Sequence, residues 1–351
     1  MRIIHTADIH LGAAPEKQYN WSAMRGKEIW ETFAALVARV KELQPDLFII
    51  AGDLFHRSPL ERELREVSEL LADISPIPVA VIAGNHDYIR DHSSYESFQW
   101  SENVIFFKKG DMHRAPVAGC GAEVYGLSYR QTQITEGIYD YVHPVDPKKI
   151  NILVAHGGDE LHAPIDYARL AESGFDYIAL GHLHTPRWQK ERNYAFPGSL
   201  EPIDMNETGE HGYLDVEVQK GACDVRFVPF ARRNYRELVI PVTVKSTMTA
   251  ITREISARMA AEGDHHMYRV RLVGERNPDF AVDIDSIYLL GNIVKVEDDT
   301  ELSYDYEKLR RENEGNMLGI FISGFGDDDA KLSEMEKKAR AYGVQALLNE
   351  E

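Results

Sequence analysis

Leu47-Phe48-Ile49-Ile50-Ala51-Gly52-Asp53-Leu54-Phe55-His56 is the stretch from which the fold can be read. A short apolar run closed by glycine describes a β-strand buried on both faces, as in a parallel sheet covered by helices. A carboxylate follows the glycine at once, and an imidazole comes three residues later, so a buried strand ends in side chains of the metal-ligand type. Four other segments repeat this design: Asp8-Ile9-His10, Gly84-Asn85-His86-Asp87 after Val79-Ala80-Val81-Ile82, Ala155-His156-Gly157, and Gly181-His182-Leu183-His184. In parallel α/β sheets ligands gather outside the carboxyl ends of the strands, where these five segments would meet.

A catalytic pair of dications about 3.5–4 Å apart needs a carboxylate able to bridge, several neutral donors and positions left open for water or substrate. Imidazole, carboxylate and amide oxygen without thiolate suit Mn²⁺, Fe²⁺, Zn²⁺, Ni²⁺ or Co²⁺ better than a closed structural zinc site. Of the 14 histidines, His5, His92, His113, His143, His162, His211, His265 and His266 fall outside the pattern and read as ordinary core or surface residues.

The ordered set resembles the calcineurin-like metallophosphoesterase superfamily. Asp8-Ile9-His10-Leu11-Gly12 and Gly52-Asp53-Leu54-Phe55-His56 resemble its DNA-repair exonuclease branch of the SbcD/YhaO type, relatives of the nuclease subunit of double-strand-break repair complexes. The similarity runs from residue 1 to roughly 230, with Ala155 standing where the wider superfamily often has glycine. It implies that Asp8, His10, Asp53 and His184 hold one metal and that Asp53, Asn85, His156 and His182 hold the other, with Asp53 as the bridge. The metal expected first is Mn²⁺. The resemblance also places His86, without a metal of its own, beside the leaving-group oxygen and His56 near the phosphate, roles that match the need for a proton donor and for charge stabilisation. Asp87 is expected either to orient His86 or to cap a helix or turn.

The chain has 351 residues and 44% hydrophobic content, enough for a large core and about two domains. Two cysteines, Cys120 and Cys223, make no disulfide framework and suit a reducing compartment. Met1-Arg2-Ile3-Ile4 enters the first strand directly and no apolar run approaches a membrane span, so a soluble cytoplasmic protein without membrane contact is expected. A net charge of −18 opposes polyanion binding by the whole surface, because DNA affinity normally comes from counterion release by Lys and Arg. Two dications beside Asp8 and Asp53 would nevertheless make the cleft positive on an acidic body. Arg25, Arg57, Arg90, Arg130 and Arg187 are candidates for phosphate contact at the rim, and Tyr19, Trp21, Tyr88 and Trp188 for stacking on bases.

Ile29, Trp30, Phe33, Val37 and Val40, and then Leu64, Val67, Leu71 and Ile74, recur at helical spacing between motif strands, a βαβαβ pattern. Later strands at Glu123–Leu127, Ile150–Ala155, Tyr177–Leu180, Tyr213–Val218 and Asp224–Pro229 come with less helix, and the expected architecture is a four-layer α/β/β/α sandwich over residues 1–232. A smaller α/β capping domain is expected over 233–302, which the resemblance suggests helps select DNA, and a helical C-terminal segment over 303–351. Asp327, Asp328 and Asp329 mark a helix start there. In the last helix Leu332, Met335, Ala339, Tyr342 and Ala346 form an apolar stripe that would pack on its own domain or dock a partner. The reading that follows is a metal-dependent phosphodiesterase acting on DNA, an exonuclease serving repair with an SMC-like coiled-coil ATPase; a homodimer is implied by the resemblance alone. A small-molecule phosphodiesterase or phosphatase, and a nuclease-like regulatory subunit of an ATPase, are the alternatives.

Overall fold

In the computed structural model, which describes residues 1–18, 22–189, 191–326 and 331–349, the strand read at Leu47–Ala51 is wholly buried and has a parallel neighbour on each side. Tyr19, Trp21 and Asp327–Asp329 lie outside the described residues. Contacts divide the chain into two units, Met1–Tyr235 and Arg236–Glu351.

In the first unit the elements run β1 (Arg2–Thr6), α1 (Ser22–Leu43), β2 (Leu47–Ala51), α2 (Glu61–Ala72), β3 (Val79–Ile82), α3 (Ser94–Ser97), β4 (Val104–Phe106), β5 (His113–Val117), β6 (Ala122–Gly126), β7 (Ile150–His156), α4 (Tyr167–Ala171), β8 (Tyr177–Gly181), β9 (Arg187–Trp188), β10 (Tyr194–Phe196), β11 (Gly212–Gln219) and β12 (Ala222–Pro229). They form two six-stranded sheets, ordered β12-β11-β1-β2-β3-β4 and β5-β6-β7-β8-β10-β9. The motif strands pair in parallel: β1 with β2, β2 with β3, and β7 with β8.

The layers follow from strand periodicity, since successive side chains take opposite faces. Ile4, Phe48, Ile50, Val79 and Val81 pack against Ile29, Phe33, Val37 and Val40 of α1 and Leu64, Val67 and Leu71 of α2. Their neighbours Ile3, Leu47, Ile49, Ala80 and Ile82 face inward and meet Val124, Ile152, Val154, Tyr177 and Ala179 of the second sheet. That sheet's far face, with Tyr125, Leu153, Ala155, Ile178 and Leu180, is covered by Leu170 of α4 and by Tyr129, Tyr139 and Phe175. The result is the expected α/β/β/α sandwich. Its second helical layer is thinner, with connecting segments doing much of the covering. The short strands β4, β5, β9 and β10 carry too little periodicity to be read from sequence.

The second unit contains β13 (Tyr235–Val242), α5 (Met248–Glu262), β14 (Met267–Arg276), α6 (Ile284–Tyr288), β15 (Ile293–Leu302), α7 (Tyr306–Glu312), α8 (Met317–Ser323) and α9 (Glu334–Asn349). Leu238, Ile240 and Val242 alternate along β13 and pack with Ile251, Ile255 and Met259 of α5 and with Tyr268, Val270 and Leu272 of β14. A smaller cluster joins Leu318 and Ile322 of α8 to Val344 of α9. A Cβ at Gly343 would stand 2.1 Å from the Phe321 ring, so this glycine admits the neighbouring helix. The covered side of α9 is therefore the one with Arg340 and Val344, while Met335, Ala339, Tyr342 and Ala346 of the expected stripe are exposed. Among the described residues no helix is long and apolar enough to cross a membrane, and both cysteines are free.

Candidate metal centre

The C-terminal ends of β1, β2, β3, β7 and β8 carry the five segments to one place, and the chain is held there in unusual backbone conformations. Asp8, His10, Asp53 and His182 have φ of 49°, 53°, 48° and 98°. Non-glycine residues in this region cost on the order of 1–3 kcal/mol each and persist only where the surroundings impose them. Here the imposing contacts are main-chain bonds between the first two segments: the N–H groups of Asp8, His10 and Leu11 donate to the carbonyls of Gly52, Asp53 and Leu54, and that of His56 donates back to Leu11. The turn after β3 must pass close to Asp53, and a Cβ at Gly84 would lie 2.2 Å from Asp53 Oδ1 and 2.7 Å from His156 Nε2.

Three histidines are anchored by their outer ring nitrogens. His156 Nδ1 donates to the Ala51 carbonyl at 2.9 Å, His182 Nε2 to Asp159 at 2.7 Å, and His184 Nδ1 to Glu207 at 2.6 Å. The opposite nitrogens point inward. His156 Nε2 and His182 Nδ1 come within 3.0 and 3.2 Å of Asn85 Oδ1, and His184 Nε2 lies 3.1 Å from His10 Nε2. Asp53 Oδ2 sits between the two sets, 3.5 Å from His156 Nε2 and 3.9 Å from His10 Nε2. Asp8 accepts the His182 N–H, and Asp53 Oδ1 accepts the His86 N–H at 2.9 Å.

The profile of the calcineurin-like phosphoesterase family matches residues 1–186. The chain belongs to that family. Among solved structures, a dimetal phosphatase from Danio rerio is similar at 10% identity over 64% of this chain and 98% of that one, with a TM-score of 0.37.

For a phosphoesterase of this family, the donor set fits a pair of dications. Lone pairs on facing imidazoles, on Asn85 and on buried carboxylates converge without a donor hydrogen between them, a costly arrangement unless cations or protons intervene. Groups able to hold an ion include Asp8 with His10 and His184, and Asp8 with Asp53 and His156. Without a cation, protons balance the charge. Burial favours neutral His156, but Asp53 and Asp8 outweigh it and push its pKa up to about 9. His184 rises to about 9 against the same burial cost through its bond to Glu207. Burial likewise opposes ionisation of Asp53, yet His156 and His10 hold its carboxyl well below the usual range. Burial drives His182 down, to about 4, with the nearby His156 adding to the effect.

The remaining candidates divide. His86 is exposed, its Nδ1 3.3 Å from the His56 carbonyl, and its ring stacks on that of His56 with centroids 5.2 Å apart. Asp87 does not orient His86: its carboxylate accepts from the Gly84 and Phe55 N–H groups and from Tyr95 OH, so it braces the turn beneath the site. This follows from the sharp bend after Gly84, which turns Asp87 inward while its neighbour faces out. Arg25 is no rim residue either, being buried between Glu28 and Glu201. Arg57 is tied to Glu63, and Arg130 to Asp91 and Glu96. Arg90 lies over the Tyr88 ring, and Arg187 is exposed. Trp188 stacks on Phe227.

Sequence reading missed Asp159, His162 and Glu207. His162, taken as an ordinary residue, groups with Asp159 and His182. Asp159 comes three residues after His156 in His-Gly-Gly-Asp, a signal that could have been noticed. Glu207 stands 23 residues after the histidine it holds, at no diagnostic spacing.

Proposed function

We propose that this phosphoesterase is a metal-dependent phosphodiesterase that hydrolyses DNA, an exonuclease of DNA repair. The observation that carries the reading is the convergence of five strand ends into a donor cage with His86 and His56 on its open side, in a chain whose first two motifs resemble the DNA-repair branch. Asp8, His10, Asp53 and His184 would hold one dication and Asp53, Asn85, His156 and His182 the other, with Asp53 common to both. Mn²⁺ is the first choice for oxygen and imidazole donors, with Fe²⁺, Zn²⁺, Ni²⁺ and Co²⁺ as alternatives. When bound, such a pair supplies a water activated at neutral pH and positive charge against the phosphate.

The chain's own residues do the rest. His86, with Nδ1 turned toward the His56 carbonyl, keeps Nε2 for the leaving oxygen and gives it a proton. His56 stabilises charge growing on the phosphate oxygens. Arg90 and Arg187 meet the flanking phosphates, whereas Arg57 and Arg130 are already neutralised by carboxylates and contribute less. The proposed partner is an SMC-like coiled-coil ATPase docking on the outward apolar side of α9, a reading supported by the exposure of Met335 and Tyr342. A homodimer is part of the same proposal.

A second reading, hydrolysis of a small phosphodiester or phosphomonoester, is favoured by the net charge of −18. Incubating the purified protein with and without Mn²⁺ on end-labelled single-stranded and duplex DNA, and on bis-p-nitrophenyl phosphate, separates the two. Mn²⁺-dependent shortening of labelled DNA is the expected result, and cleavage of the small ester with neither DNA degraded selects the second reading.

A further inference from the structure

His182 and His184 stand two residues apart, yet they are anchored in opposite senses. His182 donates through Nε2 and turns Nδ1 inward, while His184 donates through Nδ1 and turns Nε2 inward. Each anchor is a carboxylate fixed by its own surroundings. Asp159 Oδ1 accepts the N–H groups of Leu161 and His162 at 2.8 and 2.9 Å, and His162 Nδ1 lies 2.9 Å from both of its oxygens. Glu207 Oε2 accepts from Ser199 OH at 3.2 Å and from the Ile203 N–H at 3.0 Å, and Ser199 Oγ is in turn 2.9 Å from Nδ1 of the buried His211.

We infer that Asp159 and Glu207 are positioning residues that divide the Gly-His-Leu-His segment between the two metal positions: Asp159 sets His182 as an Nδ1 donor to the position shared with Asn85 and His156, and Glu207 sets His184 as an Nε2 donor to the position shared with His10. A ring nitrogen can ligate only where it carries no proton, so the partner of the other nitrogen selects both tautomer and aim. Without these two carboxylates either tautomer would be open to each ring, and an N–H turned inward would cost its position a donor. A carboxylate partner also makes the imidazole a stronger donor than a carbonyl or water would. His162 acts one step further out, its Nδ1 held against both oxygens of Asp159. The inference rests on the reading that these strand ends hold two dications, and on no assumption about the substrate.

The test is a Mn²⁺ titration of the metal-free full-length protein, counting free Mn²⁺ by electron paramagnetic resonance, a readout independent of turnover. The wild type is expected to bind two equivalents. Asp159→Ala should weaken one site about 10–100-fold and spare the other, with Glu207→Ala weakening the opposite site by a similar factor. His182→Ala and His184→Ala identify which site is which. Asp159→Ala should cost little more in the His182→Ala background but its full factor in the His184→Ala background, a selectivity that general loosening would not produce. Asp159→Asn retains an acceptor and should fall between wild type and Asp159→Ala. Because Glu207 also braces Ser199 and Ile203, Glu207→Gln replaces the alanine variant if the latter lacks a cooperative thermal transition. Unchanged affinities, equal weakening of both sites, or full additivity with the ligand histidine would each overturn the inference while leaving the two-metal reading intact. Fewer than two equivalents bound by the wild type would overturn both.

Discussion

The strand ends of the first unit and the last helix of the second depart from ordinary burial in opposite directions. At the strand ends Asp8, His10, Asp53 and His156 are at most 1% exposed, although burying ionisable groups is expensive unless each is paired. On α9 Met335 and Tyr342 are 82% and 69% exposed, although apolar side chains gain by leaving water. The first departure is possible because two six-stranded sheets with covered outer faces leave a crevice at their carboxyl ends that the surrounding chain can shield and hydrogen-bond. The second arises because α9 is drawn in by a few contacts around Phe321, Gly343 and Val344, which leave its other side without cover. A fold spends stability on such exceptions where something other than stability is served, and here the two exceptions are of different chemical kinds: one suits small cations, the other an apolar surface.

The largest effect is expected from Asp53→Ala. If Asp53 is shared by both sets of donors, its loss should abolish occupancy at both positions and take hydrolysis of bis-p-nitrophenyl phosphate below detection, whereas His10→Ala mainly weakens one. Elemental analysis decides, and two equivalents retained in the Asp53 variant would remove it from the bridging position. Next in size is His86→Ala, expected to lower turnover by about 10²–10⁴ with metal content unchanged, the usual range for a lost proton donor. Loss of metal along with the imidazole would move His86 into the ligand set.

On α9 the exposed apolar side can be altered without removing the helix. Truncation after Gly326 would strip the buried Val344 from Leu318 and Ile322 and confuse docking with stability. The substitutions Met335→Asp and Tyr342→Asp, both at exposed positions, should change stability by no more than about 0.5 kcal/mol each. Co-purification with a coiled-coil ATPase should be lost. A sharp fall in melting temperature would mean that this side of α9 is covered in the protein itself.

The smallest effect belongs to a carboxylate that is satisfied entirely by the chain. Glu123, on β6 in the second sheet, accepts from Lys149, Arg114 and Tyr125 OH, and these bonds, Lys149 foremost, bring its pKa down to about 2 from 4.5. A depressed carboxyl pKa contributes stability above the unfolded value and loses it as pH falls through the folded one. The melting-temperature advantage of wild type over Glu123→Gln should be full at pH 7 and shrink steadily between pH 4.5 and about 2. An advantage that stays constant across this interval would mean that the side chain's shape, not its charge, matters.

Much of the site was legible because its signal is local. Asp8, His10, Asp53, Asn85, His156, His182 and His184 each stand at the end of an apolar run, and in α/β folds such carboxyl ends are where ligand groups gather, here from two sheets. The apolar runs Leu47–Ala51 and Val79–Ile82 likewise announced a buried parallel sheet, and the later strands with little helix between them announced a second sheet packed on it. What short-range pattern could not carry was any property settled by segments distant in the chain. Whether Asp87 reaches His86 or the turn beneath it depends on the bend after Gly84 and on Tyr95. Whether Arg25 meets solvent or a buried carboxylate depends on Glu201, and the apolar stripe of α9 was visible as a stripe while its exposure hung on Phe321 finding room beside Gly343. The same holds for the partners of His182 and His184. Composition and spacing determined which groups could bind metal; only the tertiary structure, by bringing Asp159 and Glu207 to opposite ring nitrogens, decided which atom each histidine presents, because a tautomer is set by a hydrogen bond and not by the sequence around it.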